Sequence, residues 1–133
     1  MKEKVLVTGA SSYVGARLYH DLTQRYDTVG TYNNTHLSDA FLQLDTTQDE
    51  DVKSLLEKVR PNTVVHVAAN ASAKWCEEHP DEARSLNESA TKSVVDAAKA
   101  VNAGVIFISS FVFMDTSNVY GRTKAESEQI VQE

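Results

Sequence analysis

Five short apolar runs alternate along the chain with longer stretches of helical spacing, and this alternation restricts the fold more than any other feature of the sequence. The runs are Lys4 to Thr8, Thr28 to Tyr32, Phe41 to Leu44, Thr63 to Val67 and Val105 to Ser109. Among the helical stretches, Ser12 to Gln24 carries Val14, Leu18 and Leu22 on one face, and Asp49 to Val59 carries Val52, Leu55, Leu56 and Val59. Pro80 to Val101 places Ala83, Leu86, Ala90, Val94, Ala97, Ala98 and Val101 on one stripe, predicting a single long helix. Val119 to about Gln132, rich in Lys, Glu and Gln, predicts a last one. Uniform β-branched runs suit strands buried on both faces, and repeated strand-helix units build parallel sheets. With right-handed crossovers, the expected fold is α/β, a Rossmann-like doubly wound parallel sheet of about five strands in the order 3-2-1-4-5, helices on both faces. The expectation is one domain over residues 1–133, with a ligand at the switch point between strands 1 and 4.

Composition narrows the function classes. A chain of 133 residues can bury a substantial core, and its 41% hydrophobic content contains no run of membrane-spanning length. Thirteen Lys and Arg against nineteen Asp and Glu leave a net charge of −6 with no basic cluster, which argues against a nucleic-acid partner. The apolar stretch inside MKEKVLVTGA is too short for a secretory signal, and the single Cys76 excludes an internal disulfide. A cytoplasmic protein without a membrane partner is therefore expected. Cys76, Glu77, Glu78 and His79 form at most half of a metal site, with no second ligand pair at zinc-like spacing, so no metal is expected.

The chemistry concentrates where strands end. VLVTGASSYVG, residues 5 to 15, breaks from the first run into a small-residue loop, where backbone N–H groups and a helix N-terminus converge on phosphate. Gly9 supplies the turn and Gly15 lets the helix pack close to the strand. Ser12 stands where a third glycine is expected. It costs about 1 kcal/mol if that position needs a left-handed backbone, and its hydroxyl can cap the helix or bond a phosphate oxygen. The expectation is a modestly weakened site. Asp45 and Thr46 end the third strand, and Ala68 and Ala69 in HVAAN end the fourth, leaving room for a flat ring and a ribose. His66 reads as a satisfied histidine near the core, and Arg17 as part of a solvated helix face.

Tyr120 and Lys124 lie four apart and share a helix face. An ammonium beside a phenol lowers its pKa, and a hydroxyl from Ser109 or Ser110 completes a donor set around a carbonyl oxygen. This is a donor set for carbonyl reduction by hydride.

Together the motifs resemble the extended short-chain dehydrogenase/reductase family over essentially the whole chain. TGASSYVG is similar to its TGxxGxxG loop, LDTT to its adenine-side Asp motif, VVHVAAN to its H-x-A-A segment, SLNESAT to its helix asparagine motif, and YGRTK to its YxxxK pair. CEEHPDEA, ISSFVF and NVYGRTKAE look most like the branch that reduces keto sugar nucleotides. The resemblance implies Tyr120 as proton donor, Lys124 as its pKa partner and ribose contact, and Ser110 as the hydroxyl that orients the carbonyl. It implies cofactor contacts from Gly9, Ser11, Ser12, Tyr13, Val14 and Gly15, from Asp45 and Thr46, from Ala68, Ala69 and Asn87, and from Tyr120 and Lys124. The implied cofactor is NADP or NAD, since GTYNN at the end of strand 2 has neither an acid for a ribose nor an arginine for a phosphate.

The implied reaction is hydride transfer to a 4-keto sugar nucleotide or another carbonyl, and the implied assembly a homodimer through the helices after strands 4 and 5. Three features depart from the family. ISSFVF lacks the family's aspartate, Ser110 and Tyr120 are only ten residues apart, and the further strands and substrate-binding region of family members are expected to be missing. These departures leave open a non-catalytic nucleotide-binding or regulatory module, or an inactive fragment.

Overall fold

The computed structural model describes residues 2–68, 72–108 and 118–132. Its centre is a parallel sheet in the order β3-β2-β1-β4-β5. The strands are β1 (Lys4–Thr8), β2 (Asp27–Tyr32), β3 (Leu42–Gln43), β4 (Thr63–His66) and β5 (Gly104–Phe107). Val5 pairs with Thr28 on one side and Thr63 on the other, and Thr63 pairs with Gly104. The predicted order and direction are both observed.

Side chains alternate across each strand, so the two faces of β1 build two cores. Leu6 joins Val64 beneath α2 (Asp49–Val59) and the later helix α5 (Ala90–Ala100), packing with Val52, Leu56 and Val94. Val5 and Val7 face the other way, joining Val65 and Phe41 against Leu18, Tyr19 and Leu22 of α1 (Tyr13–Leu22). Helix α2 ends at Arg60, whose backbone is left-handed at φ 53, immediately before Pro61. Arg60 closes the helix as a left-handed cap, its N–H returning to the Leu56 carbonyl, and Pro61 cannot continue it.

Three differences from the sequence reading bear on the site. The stripe from Pro80 to Val101 is not one regular helix: α4 (Pro80–Arg84) and α5 are joined by a π turn at Ser85–Ser89. The wider turn puts Asn87, 1% exposed, where regular spacing expects Leu86. A helix absent from the reading, α3 (Ala73–Glu78), starts at a Ser72 cap that accepts the Trp75 N–H at 3.2 Å. It is too short to show a period. The third strand pairs over two residues only, while Phe41 stays buried with its ring edge-on to Tyr19 at 4.8 Å. The last helix, α6 (Val119–Gln132), has its expected bounds. No helix among the described residues is long and apolar enough to cross a membrane.

Candidate functional site

At the carboxyl ends of β1, β2 and β4 lies a cleft of about 310 Å³. Gly9, Ser11, Ser12, Thr46 and Ala68 line it, as do residues the sequence reading passed over: Tyr32, Asn33, Asn34 and Thr35 after β2, and Leu86 of the π turn. The signal for the first four was topological, because the chain leaving β2 must cross beside the end of β1.

The glycine loop is built by close approach. Gly9 has φ +68, and a Cβ there would stand 2.9 Å from the backbone N and Cα of Ala68. A Cβ on Gly15 would stand 2.0 Å from the Gly9 carbonyl oxygen, so Gly15 is required by the loop itself rather than by the strand expected to meet it. Ser12 is extended at φ −75, ψ 165, so no left-handed cost arises. Its hydroxyl donates to the Gly9 carbonyl at 2.8 Å and accepts the Gly15 N–H at 3.0 Å, capping α1. The physical ground for a weakened loop is therefore absent.

Two features leave this loop with unspent donors. The N–H groups of Tyr13 and Val14 begin α1 and have no acceptor within it. The Ser11 hydroxyl is buried without a hydrogen-bond partner among the described residues. The Tyr13 and Val14 side chains are exposed, so backbone is what these two residues offer the cleft. A phosphate group fits this donor set, since its oxygens satisfy the orphaned hydroxyl and the free N–H groups together. Thr46 is buried at the cleft, whereas Asp45 accepts the Thr47 N–H at 3.0 Å and the Thr47 hydroxyl at 2.6 Å. Asp45 thus shapes the turn and does not line the cleft.

The second group of predicted residues gathers on α6. Tyr120 is 8% exposed and packs with Cys76, Ala83, Val119 and Trp75. Lys124 is 4% exposed, donates to the Ile108 carbonyl at 3.0 Å, and stands 4.4 Å from the centre of the Phe107 ring. Burial, followed by the influence of Cys76, holds the Tyr120 phenol above its ordinary pKa, opposite to the expected lowering. The Lys124 ammonium is spent on Ile108 and Phe107, so desolvation governs the phenol. Burial also brings Lys124 down to about 8, against the opposing pull of Glu128.

Asn87 lies beside this helix. Its amide donates to the Thr123 hydroxyl at 3.4 Å and to the Cys76 sulfur at 3.7 Å. Cys76 is buried, its thiol pushed up mainly by desolvation, and no group of three metal-ligating side chains occurs among the described residues. The Val119 N–H donates to the Glu77 carboxylate, tying α3 to the start of α6. His66 is satisfied as expected, bonded to Thr8 and Thr91 and held at about 3 by burial and then by Lys124. Arg17 pairs with Asp21 at 2.9 Å on the exposed face of α1. Ser109, Ser110 and Ala69 lie outside the described residues.

A parallel sheet whose first strand turns through a positive-φ glycine into a capped helix, with a cleft at its carboxyl edge, defines a Rossmann-like α/β domain. The chain belongs to the RmlD substrate binding domain family, whose model matches residues 3–133. It is 32% identical over 144 residues to methionine adenosyltransferase 2 subunit beta of Mus musculus, covering 98% of this chain and 43% of that protein. It is 32% identical over 100 residues to dTDP-4-dehydrorhamnose reductase of Escherichia coli, covering 64% of this chain and 33% of that one. The chain thus spans less than half the length of these relatives.

Among solved structures, dTDP-4-dehydrorhamnose reductase from Bacillus anthracis, in complex with NADP, superposes with a TM-score of 0.85 at 28% identity, over 99% of this chain and 50% of that one. UDP-glucose 4-epimerase from Brucella ovis, in complex with NAD, superposes at 0.89 and 27% identity, over 98% of this chain and 47% of that one. The likeness to reductases of this type read from the five motifs is borne out.

Proposed function

We propose that this chain is the NAD(P)-binding domain of a carbonyl reductase, acting on a 4-keto sugar nucleotide or a related carbonyl. The observation that carries the reading is the loop from Gly9 to Gly15, with its buried Ser11 hydroxyl and free Tyr13 and Val14 N–H groups. Those groups hold the pyrophosphate in a loop shaped by the Ser12 cap, with Thr46 and Ala68 beside the ring and ribose. A nicotinamide dinucleotide supplies the hydride when bound. The chain's own part is the proton: Tyr120, held protonated by burial, donates to the carbonyl oxygen that Ser110 orients, while Lys124 and Asn87 hold the nucleotide side of the donor set. The relatives crystallised with NADP and with NAD support a nicotinamide cofactor of either kind. Asn33 and Asn34 at the β2 end offer neutral amides, which bond a ribose hydroxyl or a phosphate.

Titration with NADPH and NADH, followed by nicotinamide fluorescence, tests the cofactor reading. Saturable binding on the micromolar scale is expected for at least one of them, and binding by neither overturns it. Tyr120→Phe is expected to abolish carbonyl-dependent NAD(P)H oxidation while leaving cofactor affinity within about twofold, because a lone hydroxyl remote from the phosphates contributes little to ground-state binding.

A second reading, a nucleotide-binding regulatory module, is favoured by one observation: Lys124 bonds Ile108 and Phe107 rather than the phenol. It predicts cofactor binding without turnover. Association of two copies through α5 and α6 completes the proposal, and sedimentation equilibrium at two protein concentrations tests it.

A further inference from the structure

The groups at the carboxyl end of β1 and those on α6 are joined by a run of buried hydrogen bonds whose direction can be worked out from donor counts. Thr8 Oγ1 accepts the Val67 N–H at 3.0 Å and the Ala68 N–H at 3.2 Å. Both of its lone pairs are then occupied, and its single proton goes to His66 Nδ1 at 2.8 Å. His66 Nδ1 is an acceptor, so the proton of the neutral ring sits on Nε2 and is donated to Thr91 Oγ1 at 3.1 Å. Thr91 in turn donates to the Asn87 carbonyl at 3.0 Å, which also takes the Ser127 hydroxyl at 2.5 Å. The bonds through Thr8, His66 and Thr91 all run in one sense, from the end of β4 to the π turn, where Ser127 of α6 meets them. Thr8, His66, Thr91, Asn87 and Ser127 are each no more than 1% exposed, so water cannot repair a break.

We infer that His66 is a positioning residue: locked as the Nε2–H imidazole, it fixes the Asn87 turn relative to the strand end that Gly9 packs against. A neutral imidazole carries an acceptor and a donor on opposite sides of one rigid ring, whereas a carboxamide carries both at a single end. Glutamine or asparagine therefore cannot bridge Thr8 and Thr91. An imidazolium is also excluded, because a second ring proton would meet the Thr8 proton, and Lys124 is the charged group acting on the ring. One end of the run holds Ala68, whose backbone Gly9 approaches; the other holds Asn87, whose amide meets Thr123 of α6. The functional weight of this coupling rests on the cleft taking a dinucleotide, but the geometry does not.

Two measurements on the unliganded chain test it. Long-range ¹⁵N–¹H correlation of the imidazole is expected to show a pyridine-type Nδ1 and a protonated Nε2, unchanged on acidification from about pH 8 to about pH 5. The opposite tautomer, or protonation within that range, overturns the inference. Thr91→Val removes the acceptor and the onward donor at nearly constant volume. It is expected to speed amide exchange at Ser85–Ser89 about tenfold, with Thr91→Ser restoring the original rate to within about threefold.

Unchanged exchange in Thr91→Val, or failure of Thr91→Ser to restore it, also overturns the inference, and the tautomer result stands if either variant fails to fold. Should the unaltered chain bind neither NADPH nor NADH, the cofactor reading falls while both measurements keep their force.

Discussion

The glycine-loop end and the Tyr120 end of this molecule lie on one edge of one sheet, yet they are prepared for a ligand in different ways. At the loop, Gly9, Ser12 and Gly15 satisfy one another and leave Ser11 and two N–H groups unspent. On and beside α6, two of the proposed polar side chains already have partners: Lys124 holds Ile108, and Asn87 of the π turn holds Thr123 and Cys76. A site made of backbone is complete once the strand and helix are in place. A site made of side chains has its polar groups paired internally until a ligand competes for them.

The comparison can be broken most severely at the loop. Gly15→Ala drives a methyl into the Gly9 carbonyl and is expected to cost about 3 kcal/mol or more, with dinucleotide binding lost, measured by urea unfolding and nicotinamide fluorescence. At the other end, Lys124→Met tests burial of a charge. The folded chain holds this ammonium at about 8, below its usual 10.5, so between those values the unfolded chain binds more protons. Stability must then rise with pH in that window. The unaltered chain is expected to gain about 1 to 2 kcal/mol on Lys124→Met between about pH 8 and about pH 10, read from paired denaturation curves. A flat difference would show that the ammonium is well solvated.

The smallest effect sharpens the account of the loop. Ser12→Ala removes the cap and is expected to cost about 1 kcal/mol, and Ser12→Gly only a few tenths. A gain in stability or in cofactor affinity from Ser12→Gly would mean that the loop wants a glycine there after all.

Most of the scaffold was legible because its signals are local. The β-branched runs at Val5 and Val64, the stripe through Val52 and Leu56, and the stop at Pro61 each act within a few residues. Gly9 and Gly15 were legible as well, since only a missing side chain allows those contacts. The π turn was not. A stripe such as Ala83, Leu86, Ala90, Val94 fits a regular helix, and only the tertiary demand of Asn87 for Thr123 and Cys76 shows where the extra residue enters. Helix α3 was too short to carry a period. The phenol at Tyr120 misled because spacing reveals that a lysine is near, but not that its ammonium is already bonded elsewhere.

The one-way sense of the bonds through Thr8, His66 and Thr91 bears on how such a chain can change over generations. A relay with a direction cannot lose its histidine alone: replacing the ring by a residue that both ends must donate to leaves a buried group unanswered at Thr8 or Thr91. A lineage that abandons the histidine must therefore revise its two threonine neighbours in concert, or cross an intermediate that folds poorly. These three positions are expected to drift together, as a unit of inheritance scattered across residues 8, 66 and 91.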